Sequence, residues 1–315
     1  MPTVEAGLTP EYLAFSVISV DIAVRIPHLP AADEKIGVQP LGEYPGGMAA
    51  NAACAFAALG GRAGVVSTVG RDDHASFALA DLASRGVDTR WVHSVDEPTF
   101  WTLALLVEDG DKTLLEFPMP SPAAKYEHFD SSALEGVKLI HIVADEGEPS
   151  LGVLSEARRR GITTALDLET LGLDVPCLGE MLAQTDILFI NAAAARAFGA
   201  EPAAAIIALR ALGPSTVRLT RGAAGCILSE PSGRLTELPA HRVTAIDATG
   251  AGDCFAGAFA YGHTRGWPDV ESAQLANLMA ALSMTALGPR GHLATLAELG
   301  ARARADGLSV AARLP

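Results

Sequence analysis

Short apolar stretches alternate with amphipathic ones along most of the chain. Runs typical of buried strands occupy residues 12–20, 64–70, 139–143, 164–168, 186–190 and 216–220. Periodic or small-residue stretches predict helices at residues 48–60, 74–86, 150–161 and 202–212. Strands that alternate with helices at this spacing indicate βαβ units, so we expect a mainly parallel sheet covered by helices on both faces. A further helical stretch begins near residue 252 and extends toward the C-terminus.

Two segments, residues 33–44 and 98–117, depart from this alternation because neither has a helical period. The second predicts a hairpin that turns at Asp109-Gly110. Together the two segments predict a small β lid that stands off the main sheet. No internal repeat or low-complexity linker is visible, so we expect residues 1–315 to form a single α/β domain with the lid inserted in it.

The charge balance narrows the possible partners. The chain has 23 Lys and Arg against 37 Asp and Glu, a formal net charge of −14. Such a field repels phosphate backbones and anionic membranes, which argues against both as partners. The sequence has no run of about 18 apolar residues and no basic, apolar leader at its start, so we expect a cytoplasmic protein.

The cysteine spacing gives no sign of a metal or redox site. Cys54, Cys177, Cys226 and Cys254 are far apart, and the sequence has no CxxC or Cys/His spacing. Reduced, mostly buried thiols are the better interpretation.

The segment most informative about chemistry is DATGAGD, residues 247–253, which is followed by a helical run of small residues. Small residues ahead of a helix let successive backbone N–H groups point at one spot, where the helix dipole also favours negative charge. Such an anion hole suits phosphoryl transfer, which needs charge stabilisation and positioning. Asp253, in the first helical turn and kept ionised by the dipole, would accept a proton from an attacking hydroxyl. A glycine turn capped by an aspartate is the alternative interpretation.

These residues resemble the signatures of the ribokinase-like carbohydrate kinases, the PfkB family. Residues 247–253 match the carboxyl-terminal signature apart from Ala248, which replaces a hydroxyl residue. Residues 19–30 and 276–291 are similar to the family's first strand with its loop and to its adenine-side helix and loop. The amino-terminal signature is matched by Gly46, Gly47, Asn51, Gly60 and Gly70. The resemblance runs from about residue 14 to 300 and implies a three-layer α/β/α fold with a β lid.

The resemblance assigns the chemistry to the carboxyl-terminal signature. It implies that Asp253 is the catalytic base and that Gly250, Ala251 and Gly252 form the anion hole with it. It also implies that Asp247 helps to bind a monovalent cation such as K⁺.

The resemblance also implies which residues bind the two substrates. The residues that hold the sugar are Asp21, Gly46, Gly47 and Asn51. The residues near ATP are Asn191, Thr220, Gly222, Gly225 and Asn277. The lid would close over the sugar and exclude water, which would otherwise take the phosphoryl group. Members of the family often have small lid sheets that pair across a two-fold axis, so we expect a homodimer formed through the lid.

Three of these residues have simpler interpretations when each is taken alone. Gly46-Gly47 is compatible with a tight turn, Asn51 with a hydrogen-bonded amide in the core, and Asp21 with an acid at the surface end of a strand. The family resemblance favours sugar contacts for all three.

The sequence departs from the family pattern in two places. The family's Asn-x-x-Glu motif, whose Glu helps to organise Mg²⁺, reads Asn191-Ala-Ala-Ala194 here. Asp167 and Glu169 are acids that would replace that Glu, or they merely end a strand. At the first strand, Ser19 stands where the family often has Asn; it can still hydrogen-bond a sugar.

Two hypotheses remain from the sequence. The leading one is an ATP-dependent kinase that phosphorylates a sugar or sugar derivative, and a nucleoside is a further possible acceptor within the family. The second is a binding or regulatory relic, which Ala194 favours. Dinucleotide-binding and Walker-type NTPase classes fail because neither GxGxxG after the first strand nor GxxxxGK[ST] occurs. The sugar itself stays open; Arg25, Arg71 and Arg290 are candidates for holding an anionic one.

Overall fold

The computed structural model describes residues 9–107, 112–121 and 123–315. Its strands, numbered in chain order, are β1 Tyr12–Phe15, β2 Ser19–Ile26, β3 Gln39–Gly46, β4 Ala63–Val69, β5 Asp88–Ser94, β6 Phe100–Val107, β7 Lys112–Phe117, β8 Leu139–Val143, β9 Thr163–Leu168, β10 Ile187–Asn191, β11 Thr216–Thr220, β12 Cys226–Ser229 and β13 Leu235–Leu238. Its α-helices are α1 Met48–Ala58, α2 Asp73–Ser84, α3 Ala124–Glu127, α4 Glu148–Arg159, α5 Leu178–Ala183, α6 Ala192–Ala195, α7 Pro202–Ala211, α8 Ala251–Thr264, α9 Asp269–Ser283 and α10 Leu296–Ala305.

A nine-stranded sheet forms the centre of the molecule, in the order β13-β12-β11-β10-β9-β8-β1-β4-β5. Neighbouring strands from β11 through to β5 are parallel, whereas β12 and β13 extend the sheet in antiparallel fashion. The prediction of a mainly parallel sheet is therefore confirmed. Parallel strands place their carboxyl ends at one edge, and the polar residues that follow β8, β9, β10 and β11 gather there.

The sheet separates two apolar clusters. Successive residues of a strand point to opposite faces, so Tyr12 and Ala14 of β1 join one cluster while Leu13 and Phe15 join the other. Helices α1, α2, α8, α9 and α10 cover the first face, and α4 to α7 cover the second. The result is a three-layer α/β/α fold. Among the helices in the described part of the chain, none is both long and apolar enough to cross a membrane.

A second, four-stranded sheet forms the lid in the order β3-β2-β6-β7. Strand β2 pairs antiparallel with β3 and parallel with β6, and β6 pairs antiparallel with β7. The lid strands β6 and β7 come from the segment predicted as a hairpin, and the predicted turn at Asp109-Gly110 lies outside the described residues. Strand β3 begins at Gln39, inside the other segment that was assigned to the lid.

The prediction of one buried strand over residues 12–20 is wrong. Strand β1 ends at Phe15 in the main sheet, and β2 begins at Ser19 in the lid. The apolar run is continuous because the chain crosses the interior between the two sheets, where Ile18 is fully buried. Consequently Asp21 lies within a lid strand and not at the carboxyl end of a strand in the main sheet.

Candidate active site

The turn that leads into α8 is built around the Asp247 carboxylate. Its Oδ1 accepts hydrogen bonds from the Thr249 backbone N–H at 2.9 Å and the Thr249 hydroxyl at 2.6 Å. Its Oδ2 accepts one from the Gly288 N–H at 3.0 Å, which ties the turn to a second loop. Gly250 caps the helix with φ +73°, and a Cβ there would lie 2.7 Å from atoms of Pro289. Glycine is favoured at this position, and no side chain caps the N-terminus of this 14-residue helix, where the helix dipole favours an anion.

Asp253 lies in the first turn of α8 and is only 7% exposed. Burial is the largest influence on this carboxyl and raises its pKa well above the usual range, and the nearby charges of Asp167 and Glu169 raise it further. The hydrogen bond from Asn51 and the charge of Arg290 act in the opposite direction. The expectation that the helix dipole keeps Asp253 ionised is therefore corrected. Burial opposes ionisation, and neighbouring donors are needed to offset it.

Asn51, in the first turns of α1, connects directly to this carboxylate. Its Nδ2 donates to Asp253 Oδ2 at 2.7 Å. Its Oδ1 accepts from the Arg290 Nε at 2.8 Å, so both ends of the amide are bonded in the free protein. The two helices approach closely, since a Cβ on Gly257 would lie 2.1 Å from the Ala52 carbonyl oxygen. The small residues of α1 and α8 thus bring Asn51 and Asp253 into contact.

The Gly46-Gly47 pair makes room for the polar groups of the lid. A Cβ on Gly46 would lie 2.6 Å from Ser19 Oγ and 2.9 Å from Asp21 Oδ2. Gly47 has φ +97°, and a Cβ there would lie 2.4 Å from the Val17 carbonyl oxygen. Ser19 Oγ donates to Asp21 Oδ1 at 3.5 Å. The structure therefore brings together Ser19, Asp21, Gly46 and Gly47, which the sequence assigned to the sugar. Gly46 and Gly47 form the hinge, the connection between lid strand β3 and helix α1.

A cavity extends between the inner face of the lid and the turn before α8. Asp21, Tyr44 and Thr102 line it from the lid, and Asp247 and Thr249 line it from the turn. Tyr44, Asp21, Thr102 and Glu116 occupy one register row across the four lid strands, so their side chains share the inner face. Tyr44, Thr102 and Glu116 were not found from the sequence, because cross-strand register cannot be read from one strand at a time.

Asn191 and Glu169 meet at the carboxyl ends of β10 and β9. Asn191 Oδ1 accepts from the Ala194 N–H at 2.9 Å and caps α6, while its Nδ2 donates to Glu169 Oε1 at 3.4 Å. Burial raises the pKa of Glu169, and the charge of Asp167 adds to the effect. The Ala194 side chain is fully buried in the apolar cluster beneath. Glu169 therefore places a carboxylate beside the first residue of the altered motif.

The remaining predicted nucleotide residues lie on the β10–β13 side of the sheet. Thr220 ends β11 and is the register partner of Asn191. Gly222 and Gly225 have φ values of +55° and +81°, and a Cβ on Gly225 would lie 2.0 Å from the Leu238 carbonyl oxygen. Asn277 of α9 donates from Nδ2 to the Pro239 carbonyl at 3.3 Å.

None of the three arginines proposed for an anionic sugar is placed for that task in this conformation. Arg290 is 3% exposed and bonded to protein groups. Arg71 pairs with Asp96 at the surface. Arg25 is exposed and donates to Gln39 at 3.5 Å.

The described residues contain no cluster of three or more His, Cys, Asp or Glu arranged to hold a metal ion. The four cysteines are free, and three of them are buried. A metal here would need ligands from a bound substrate as well as from the protein.

Comparison with known proteins gives a consistent result. The model of the pfkB family of carbohydrate kinases matches residues 15–296. An ATP-dependent ribose-1-phosphate kinase of Halopiger xanaduensis is 30% identical over 284 residues, which cover 87% of this chain and 91% of the relative. The ribokinase of Bacillus subtilis is 27% identical over 289 residues, 89% of this chain and 95% of the relative. This chain also matches the bifunctional protein HldE of Azotobacter vinelandii, but that match covers only 54% of the relative.

Solved structures show the same fold. The ribokinase of Arabidopsis thaliana, complexed with ribose and ATP, superposes with a TM-score of 0.78 at 23% identity, covering 91% of this chain and 95% of that one. At this identity the likeness concerns the fold alone.

Proposed function

The chain belongs to the pfkB family of carbohydrate kinases, and we propose that it transfers the γ-phosphoryl group of ATP to a hydroxyl group of a sugar or sugar derivative. The observation that carries this proposal is the contact between Asn51 and Asp253 at the N-terminus of α8. It places a buried carboxylate in the first turn of a helix whose N-terminus has no side-chain cap, and these two features are the base and the anion site that phosphoryl transfer to an alcohol requires.

The reaction follows from this geometry. Asn51 holds Asp253 Oδ2, so Oδ1 is the oxygen that takes the proton of the acceptor hydroxyl. The hydroxyl oxygen forms a bond to the γ-phosphorus while the bond from that phosphorus to the β–γ bridging oxygen breaks, and ADP leaves. The N–H groups at the start of α8, capped by Gly250, stabilise the charge on the transferred group.

The lid and its hinge are proposed to bind the sugar. Asp21 and Ser19 offer a carboxylate and a hydroxyl on the inner face of the lid, next to the Gly46-Gly47 hinge. Carboxylates accept hydrogen bonds from two sugar hydroxyls at once. The similarity to ribokinase and to ribose-1-phosphate kinase favours a pentose or pentose derivative as the first acceptor to test.

ATP and Mg²⁺ are proposed to occupy the side of the cleft above β9 to β11. Asp167 and Glu169 would supply oxygen ligands, since Mg²⁺ is usually held in proteins by one or two carboxylates together with substrate phosphates. Burial raises the pKa of Glu169, repulsion from Asp167 raises it further, and a bound cation would relieve that repulsion. Magnesium supplies charge neutralisation of the phosphates when it is bound. For Asp247, the bonds to Thr249 and Gly288 favour a role in shaping the turn over the K⁺ contact expected by resemblance.

The outer face of the lid is proposed to form a homodimer. Trp101 and Phe117 stack with ring centroids 3.7 Å apart, opposite to the cavity-lining Thr102. Leu115 and Phe117 remain 44% and 41% exposed. A second copy of the same face would cover them.

A coupled ADP-release screen over neutral sugars, phosphorylated sugars, sugar acids and nucleosides tests the proposal. Each acceptor is run with ATP and Mg²⁺, and the Asp253→Asn protein is the matched blank. We expect ADP release that depends on one acceptor class and is absent from the blank. Clear sugar binding by calorimetry without transfer of phosphate to any acceptor would decide for the binding relic that Ala194 suggests.

A further inference from the structure

Arg290 is the most highly connected buried charge near the proposed catalytic base. Its Nε donates to Asn51 Oδ1 at 2.8 Å, and its two terminal nitrogens donate to Asp81 Oδ2 at 2.6 Å and to the Gly46 carbonyl at 2.7 Å. One guanidinium thus joins α1, α2 and the hinge of the lid to the loop that carries it. Its planar fork is suited to three partners at once, which a lysine ammonium cannot match in geometry.

The contact with Asn51 fixes the direction of the amide. A guanidinium nitrogen is only a donor, so the atom it meets must be the amide oxygen. The Asn51 NH₂ group is then turned toward Asp253, where it donates to Oδ2 at 2.7 Å. The opposite amide orientation would place an NH₂ group against Arg290 and a carbonyl oxygen against the buried carboxylate, and both contacts would be repulsive.

We propose that Arg290 is a positioning residue for the transfer reaction: through the Asn51 amide it holds Asp253 so that Oδ1 faces the acceptor hydroxyl. The inference rests on the proposed kinase function. It assigns Arg290 a role at the base and not in binding an anionic sugar.

A double-mutant cycle between Arg290 and Asn51 tests the proposal. Turnover is measured at saturating ATP for Arg290→Lys, Asn51→Ala and the double variant on the acceptor found in the screen. We expect Arg290→Lys to lower kcat by about 10–100-fold, since misplacing a catalytic group by an ångström costs about that much. In the Asn51→Ala background the same change should cost less than about threefold, because the connection to Asp253 is already lost.

Arg85→Lys is the matched control. Arg85 donates from Nε to the same Asp81 carboxylate at 2.9 Å, but its bonds are to Asp81 and not to Asn51. Its replacement should leave kcat within about twofold of the parent protein, because the bonds from Arg290 to Asp81 and to Asn51 remain in place. Should Arg290→Lys fail to fold, Asp81→Asn replaces it in the cycle, because it weakens the anchor of the guanidinium while keeping all three donors.

Equal loss from Arg290→Lys in both backgrounds would overturn the proposal and leave Arg290 as a support for the loops alone. A second readout does not need activity. In ¹⁵N-edited NMR spectra the side-chain NH₂ of Asn51 should exchange slowly with solvent in the parent protein and rapidly in Arg290→Lys. Fast exchange in the parent would also refute the proposal that Arg290 holds the Asn51 amide. Slow exchange together with a screen that finds no acceptor would support that contact and count against the kinase function alone.

Discussion

Replacing Asp253 by Asn is the most direct perturbation of the proposed mechanism, because it changes one atom. The Asn oxygen can still accept the hydrogen bond from Asn51, so the local structure should persist. The amide cannot take a proton from the acceptor hydroxyl. We expect turnover to fall by about 10²–10⁴-fold, the usual contribution of a positioned general base, with ATP binding unchanged.

The same substitution has a predictable effect on stability. Burial raises the pKa of Asp253 above its value in the unfolded chain, so the folded state favours the protonated form. A group whose pKa is raised by folding adds fully to the free energy of unfolding at a pH below its unfolded pKa. That stabilisation is lost as the pH rises through the folded pKa. The parent protein should therefore lose stability relative to Asp253→Asn as the pH rises from about 4.

Urea denaturation at pH 5 and pH 8, together with the coupled kinase assay, measures both effects. Asp96→Asn serves as the control, since Asp96 has a side chain that is 88% exposed. It should alter neither turnover nor the pH dependence. Turnover of Asp253→Asn near that of the parent would refute the assignment of Asp253 as the base. If Asp253→Asn gained stability over the parent as the pH falls, the sign of the electrostatic argument would be refuted.

Three further predictions address the sugar site, the metal and the lid. Asp21→Asn should raise the KM for the acceptor by roughly tenfold or more while the KM for ATP stays nearly constant, since an imperfectly paired buried polar group costs about 1–3 kcal/mol; equal losses for both substrates in steady-state kinetics would indicate structural damage. Glu169→Gln should raise the Mg²⁺ concentration for half-maximal rate several-fold, because it removes the carboxylate that lies beside Asn191; an unchanged Mg²⁺ requirement would remove Glu169 from the metal site. Leu115→Glu should convert a dimer to a monomer in light scattering at micromolar concentration, because it buries a charge in the proposed interface; a parent protein that is already monomeric and active would remove the dimer.

Most strands of the main sheet could be predicted from the sequence because they are short apolar runs flanked by polar residues or glycine. Strands β8, β9 and β11 lie at or within one residue of their predicted positions. Gly60 and Gly86, with φ values of +82° and +75°, stop the two helices that they were predicted to end. Both signals depend only on residues close together in the chain, so a single sequence is enough to detect them.

The lid was only partly readable, because strand pairing is not a local property. The run at residues 12–20 contains no glycine or proline to mark the passage from one sheet to the other. Its hydrophobicity is that of a single buried strand, since the connecting residues are buried as well. Strands β12 and β13, which form one end of the main sheet, were also missed. They are four residues each, too short to show a period.

The site shows how a single sequence feature served two purposes, only one of which was recognised. The small residues before Asp253 were interpreted as room for an anion, and Gly250 fits that interpretation through its close approach to Pro289. Gly257, however, lies one helical turn after Asp253, where its missing Cβ admits the Ala52 carbonyl. The same lack of bulk that frees the helix N-terminus therefore lets α1 approach α8 until Asn51 reaches the base. Asn51 and Asp253 are 202 residues apart in the chain, and Arg290 and Asn51 are 239 residues apart. Contacts at such separations cannot be predicted from one sequence. A motif-based assignment consequently finds Asp253, while the groups that orient it become visible only when the helices are packed.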